Sequence, residues 1–158
     1  MSFDDPKLKF SMGFVCSPDG ERVLLLQKNK PEQLKGQWMG VGGKIDPGED
    51  ALEAMVRECR EETGLEISAE NWLQTGIWHT QSGRPIYFFV TKVGFDDYSK
   101  LSDTGEAIKD YSWDEVSQLR LSDSTLDMCH SIENLARNKT NEVTFEVKAA
   151  APKTMKMG

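Results

Sequence analysis

Apolar and polar positions along this chain follow two different periods. Residues 8–16 (LKFSMGFVC) and 22–28 (RVLLLQK) are short apolar runs separated by Ser17-Pro18-Asp19-Gly20, a composition that predicts two strands joined by a turn. Residues 72–80 (WLQTGIWHT) and 85–93 (PIYFFVTKV) predict a second strand pair around Gln81-Ser82-Gly83-Arg84, and Lys109–Trp113 reads as a further strand. Between the pairs the period changes. From about Asp50 to Thr63 the spacing predicts a helix with Leu52, Met55, Val56, Cys59 and Thr63 on its core face, and Gly64 is placed to end it as a left-handed C′ residue. Residues 123–138 predict a second helix through Leu126, Cys129, Ile132, Leu135 and Ala136. Residues 29–40, with Pro31, Gly36 and Gly40, read as a polar loop, as do 94–108, and Gly42-Gly43 reads as a glycine-rich turn. Thr144–Val147 is expected to be an edge strand and the end, AAAPKTMKMG, to be disordered. No internal repeat is present. The pattern predicts one α/β domain over 1–140 with a tail over 141–158, its mixed sheet covered by helices on both faces.

The 158 residues suffice for one real core, with 38% hydrophobic and 28% charged positions. A net charge of −7 argues against a nucleic acid polymer as partner, since no basic stripe exists to release counterions. A small anionic ligand would need local lysines, backbone amides or metal ions. Cys16, Cys59 and Cys129 form no CxxC pair, and His79 and His130 are the only histidines. A zinc site or disulfide framework is therefore not expected, and a reducing cytoplasm is. The start, MSFDDPKLKF, has no signal-type apolar stretch, and no apolar run approaches the ~20 residues of a membrane span.

One segment does not fit a routine helix. GGKIDPGEDALEAMVRECREETGL, residues 42–65, carries Glu49, Asp50, Glu53, Glu58, Glu61 and Glu62. Glu58, Glu61 and Glu62 share one side, where like charges cost about 0.2–0.5 kcal/mol per pair. A solvated helix face is one reading. A hard divalent cation is the other, because it prefers oxygen ligands and neutralises such a cluster, and Mg²⁺ in particular is held by one or two carboxylates together with substrate phosphates. Arg57 sits at the edge, able to pair with a neighbouring carboxylate.

Gly43, Glu49, Arg57, Glu58, Glu61, Glu62 and Gly64 occupy every fixed position of Gly-x5-Glu-x7-Arg-Glu-x-x-Glu-Glu-x-Gly. The segment thereby resembles the signature of the Nudix hydrolases, with Cys59 the one mild departure. The resemblance implies an α/β/α sandwich around a mixed sheet. It implies that Glu58, Glu61, Glu62 and a backbone carbonyl near Gly42 or Gly43 hold Mg²⁺ (or Mn²⁺). Arg57 would orient Glu58, and Glu49 would support the loop and helix start. A water activated at the metals would attack phosphorus, its proton going to Glu58 or to a glutamate outside the segment. Glu106 is the candidate outlying acid, with Asp103 in reserve.

Residues 23–45 are similar to the MutT-type nucleoside triphosphatases, among them those acting on oxidised purines, through Gly36-Gln37-Trp38 and Gly42-Gly43-Lys44. Met39 departs from the asparagine that reads the base edge in mammalian members, since a thioether offers no useful donor or acceptor. Base reading would then fall to Asp123, Ser122 or Ser124. Lys28 and Lys30 are expected near phosphate oxygens, Lys44 among the substrate-binding residues, and Trp38, Trp78, Phe88 or Trp113 as base stackers. The resemblance thus implies a nucleoside triphosphate pyrophosphohydrolase, monomeric or homodimeric. A pyrophosphatase of ADP-ribose or nucleotide sugars is the alternative, and a ligand-sensing domain without turnover a more distant one.

Overall fold

In a computed structural model, which describes residues 8–138, the first two predicted strands form as β1 (Phe10–Cys16) and β2 (Arg22–Gln27). Gly20 N–H donates to Ser17 O and Ser17 N–H to Arg22 O, closing the turn between them. The second pair forms as β5 (Leu73–His79) and β6 (Pro85–Lys92). β1 lies parallel to β6 from Phe10↔Ile86 to Cys16↔Lys92, and β5 runs antiparallel on the far side of β6.

Three regions depart from the expectation. The glycines at 42 and 43 lie within a strand, β4 (Val41–Lys44), antiparallel to β1. Gly42 has φ 153°, and a Cβ there would fall 2.0 Å from Ser11 O; strand character is hidden in the sequence because no side chain fits. The loop over 29–40 contains a single helical turn (Glu32–Leu34) and a two-residue strand, β3 (Trp38–Met39), on β2. β7 (Ile108–Ser112) begins one residue early, and Trp113 starts a short helix, α2 (Trp113–Val116), instead of ending a strand. Ser112 caps that helix by accepting from Glu115 N–H, and the Trp113 indole donates to Gly20 O at 2.8 Å.

β1 shares one edge between two partners: β4 takes Phe10–Gly13, and β2 pairs at Cys16. β2 also carries β3 and β7, so the seven-stranded sheet splays between β2 and β4. Side chains alternate along β1. Met12, Phe14 and Cys16 pack with Val23, Leu25 and Phe88 under α3 (Asp123–Arg137), while Val15 joins Leu24, Leu26 and Phe89 under α1 (Ala51–Thr63). The result is the expected helix–sheet–helix sandwich.

The core face of α1 is turned relative to the predicted one. Ala54, Met55, Cys59, Glu62 and Thr63 are buried, whereas Leu52 and Val56 are half-buried. Because Gly42 and Gly43 bring no side chains to the edge of β4, the helix settles with its Ala54–Glu58–Glu62 stripe towards them. The three cysteines are free. Among the described residues no helix is long and apolar enough to cross a membrane. The edge strand expected at 144–147 and the disordered end lie outside the described residues.

Candidate active site

α1 is pinned at both ends. Asp50 accepts from Glu53 N–H at 2.8 Å while Glu53 accepts from Asp50 N–H at 2.9 Å, and Gly64, at φ 77°, donates to Arg60 O. Such a capping box and left-handed stop satisfy groups a helix end leaves orphaned, so the carboxylates projecting from the helix start from a fixed frame.

Arg57 organises them. Its Nε and Nη2 donate to the two oxygens of Glu49 at 2.7 and 2.9 Å, a two-pronged pairing. Nη2 also reaches Lys44 O at 3.1 Å, and Nη1 reaches Glu58 Oε1 at 2.9 Å and Glu61 Oε1 at 3.1 Å. One guanidinium therefore ties the helix, the end of β4 and the loop between them. Its bond to Glu49 brings that carboxyl down to about 2, so Glu49 is charged at any ordinary pH.

Glu62 is in the opposite situation. It is 7% exposed, and its Oε1 accepts the Gly42 N–H at 2.6 Å. Burial pushes it up to about 9, with the nearby charges of Glu58 and Glu106 adding to the rise against the Gly42 N–H and Lys28. Burial likewise raises Glu58, opposed by Arg57 and reinforced by Glu61 and Asp103. Gly43 is essential to this approach: a Cβ there would fall 2.6 Å from Glu58 Oε2.

This donor set fits a hard divalent cation. It consists of oxygens only, includes a buried carboxylate short of positive charge, and stands against a glycine backbone that no side chain obstructs. Among the described residues no three acidic, cysteine or histidine side chains are grouped to hold an ion as they stand, because Arg57 draws Glu58 and Glu61 while Glu62 turns to Gly42 N–H.

Beside the carboxylates opens a cavity of about 830 Å³, lined at this end by Glu62, Gly42, Gly43, Lys44 and Lys28. Met39, Trp78, Arg84 and Asp123 line it further along, with Ser122 and Ser124 at the start of α3. Glu106 does not line it. The Glu106 carboxylate is buried beneath the loop after β2, where it accepts from Asn29 N–H at 3.1 Å and Thr104 Oγ1–H at 3.2 Å and stands 3.5 Å from Lys28 Nζ. Asp103 is exposed. Trp38 is turned into the core, edge-on to Tyr111 at 5.0 Å, and its backbone exchanges hydrogen bonds with Arg120 O and Ser122 N–H. Phe88 is fully buried and Trp113 nearly so, which leaves Trp78 as the one expected stacker on the cavity wall.

Arg84 escaped the sequence reading because it lay in a segment read only as a turn. Its place two residues before Ile86 was the available signal: period-two alternation puts both on the same face of β6 and its approach.

The family model described as the NUDIX domain matches residues 8–135. The CTP pyrophosphohydrolase of Escherichia coli (strain K12) is 36% identical over 79 residues, 50% of this chain and 57% of that protein. Of three curated relatives it matches, the chain spans 21%, 57% and 27% of the length. Among solved structures, a MutT from work on Aliivibrio salmonicida and Vibrio cholerae superposes with TM-score 0.65 at 17% identity, covering 81% of this chain and 97% of that one. The NUDIX domain of Shewanella oneidensis NrtR, complexed with ADP ribose, gives 0.67 at 18% identity over 80% and 86%. Fold, motif and family model agree, and the chain belongs to the NUDIX family.

Proposed function

We propose that the protein is an Mg²⁺-dependent nucleoside triphosphate pyrophosphohydrolase of MutT type. The observation that carries this reading is the Arg57 knot, which holds Glu49, Glu58 and Glu61 and the Lys44 carbonyl at the rim of a cavity whose wall includes buried Glu62. Glu58, Glu61, Glu62 and the Gly43 carbonyl hold the cation. When bound, it neutralises diphosphate charge and makes water more acidic.

In this reading the side chains divide the work. Glu58 accepts the proton of the attacking water, whose oxygen bonds to phosphorus as the anhydride bond to the departing pyrophosphate breaks and its electron pair leaves with the bridging oxygen. Arg57 acts through Glu58 as a positioning residue. Lys28 and Lys44 meet the phosphate oxygens, and Glu106 holds Lys28 and Asn29 in place. Met39 and Asp123 flank the nucleoside.

The test is a panel of nucleoside triphosphates, 8-oxo-dGTP, ADP-ribose and nucleotide sugars with Mg²⁺, with pyrophosphate and monophosphate followed separately. Pyrophosphate from triphosphates supports the reading. Activity confined to ADP-ribose or sugars, with no free pyrophosphate, would replace it by the internal-diphosphate alternative. Glu58→Gln should lower kcat by about 10²–10⁴-fold; an undiminished rate would overturn the assignment of the carboxylates.

A further inference from the structure

Glu106 is a buried acid at the edge of the site, 4% exposed, and its neighbours decide what it can do. Ser102 N–H donates to Glu106 O at 2.7 Å and Glu106 N–H to Ser102 Oγ at 3.0 Å, so the backbone that carries it is fixed. Its two carboxylate oxygens are both engaged. Oε1 accepts from Thr104 Oγ1–H, while Oε2 accepts from Asn29 N–H and faces Lys28 Nζ at 3.5 Å. A carboxylate partnered at both oxygens and set back from the cavity wall has no oxygen to offer a cation or an attacking water.

The cavity meets this acid through Lys28. Backbone pairing continues past β2 at this residue: Lys28 N–H donates to Gln37 O at 2.9 Å, and Gly36 N–H donates to Lys28 O at 2.8 Å. One residue earlier Gln27 N–H donates to Ala107 O at 2.9 Å, which brings the Glu106 turn against the same strand end. The Lys28 side chain lines the cavity at the end that holds Glu62, Gly42 and Gly43, and its charge is felt at Glu62. An ammonium carries several donors, so Lys28 can keep Glu106 and still offer N–H groups to oxygens entering the cavity. A loose lysine loses much rotamer freedom when it takes a ligand. One already held loses less, and binds better for it.

We infer that Glu106 is a positioning residue that presets the Lys28 ammonium as a phosphate arm, and that this arm selects a terminal triphosphate chain over an internal diphosphate. The inference rests on the proposed nucleotide reading. A triphosphate brings more negative charge than a diphosphate esterified at both ends, so a fixed ammonium gains more from it. Glu106 touches neither substrate nor cation in this arrangement; what it contributes passes through Lys28.

The test is calorimetric binding of α,β-methylene-ATP and α,β-methylene-ADP-ribose in Mg²⁺, which share the adenosine and differ in the phosphate chain. Steady-state kinetics on the triphosphate turned over fastest, and Mn²⁺ binding without substrate followed by electron spin resonance, run in parallel. The parent should bind the triphosphate analogue at least tenfold tighter than the ADP-ribose analogue. In Glu106→Gln, where glutamine keeps an acceptor for Asn29 N–H and removes the charge, that ratio should shrink to threefold or less. KM should rise by more than kcat falls, the mark of lost uniform binding, and the Mn²⁺ Kd should stay within threefold. Lys28→Met, at a half-buried position, reads the arm independently and should shrink the ratio as far. The double variant should be no worse than Lys28→Met, because both changes remove one interaction. Equal affinity for the two analogues in the parent would overturn the inference, as would a preference that persists in Lys28→Met. A tenfold loss of Mn²⁺ affinity in Glu106→Gln would make Glu106 a cation ligand instead, and a fall in kcat larger than the rise in KM would make it the base. A triphosphate preference lost in both variants, with no pyrophosphate released from any triphosphate, would overturn the proposed reaction and leave the phosphate arm standing.

Discussion

Arg57 does what a lysine in its place could not. A lysine has the charge, but it cannot present donors in a fixed plane to Glu49, Glu58, Glu61 and Lys44 O together. Arg57→Lys should therefore lower kcat by about 100-fold, the scale of a misplacement near 1 Å, with KM changed only a few-fold, because the residue positions Glu58 and does not touch substrate. Steady-state kinetics check this; a change confined to KM would show that Arg57 binds substrate instead. Gly43 isolates the same carboxylate from the other side. Its φ is not in the left-handed region, so alanine is acceptable to the backbone, yet the new Cβ would sit 2.6 Å from Glu58 Oε2. Gly43→Ala should leave the melting temperature within a few degrees of the parent and reduce kcat at least tenfold. Parent-like activity in the folded variant would mean that Glu58 works from another rotamer.

At the scale of elements, α1 is held between its caps and its contact with β1. A Cβ on Gly13 would come within 2.7 Å of the Met55 side chain and 2.8 Å of the Trp72 ring. Met55 is flexible and Trp72 is not, so Gly13→Ala should destabilise by about 1–3 kcal/mol, read as a drop of roughly 2–4 °C in melting temperature per kcal/mol; an unchanged melting temperature would show that the helix can lift freely. The same contact explains what could be read from sequence. α1 and α3 follow an apolar period, and β1, β2, β5 and β6 follow strand-like runs, so their faces are written in side chains. β4 is written in missing side chains, Gly42 and Gly43, and β3 is two residues long; neither leaves a pattern. The shift in the buried face of α1 followed, since it depends on β4 being empty. The carboxylate spacing was legible because one helix carries all three. Arg84 and the turned-in Trp38 depend on the hairpin and on β3, where sequence distance says nothing about who meets across the cavity.

For the whole molecule, charge and stability are linked through this site. The chain carries a net charge of −7, and around α1 the excess concentrates: Glu58 and Glu106 press on Glu62, while Glu61 and Asp103 press on Glu58. Arg57 and Lys28 answer part of it. With its carboxyl pushed up to about 9, Glu62 carries a proton in the stripped protein at neutral pH, and a cation that binds the folded state alone displaces that proton and adds stability. At a free concentration about 100 times its Kd, such an ion stabilises by about 2.7 kcal/mol, which for a chain of this size is roughly 5–10 °C in melting temperature. MgCl₂ should therefore raise the melting temperature of protein first stripped with a chelator, whereas NaCl at equal ionic strength should not, because general screening acts on the whole surface and not on Glu62. Glu62→Gln supplies the second arm. It keeps an acceptor for Gly42 N–H and cannot give up a proton to become an anionic ligand, so the stripped variant should melt within a few degrees of the stripped parent and gain little from MgCl₂. Equal shifts from the two salts, or a Glu62→Gln variant that responds to Mg²⁺ like the parent, would separate the buried carboxylate from cation binding and leave it a structural acceptor for β4.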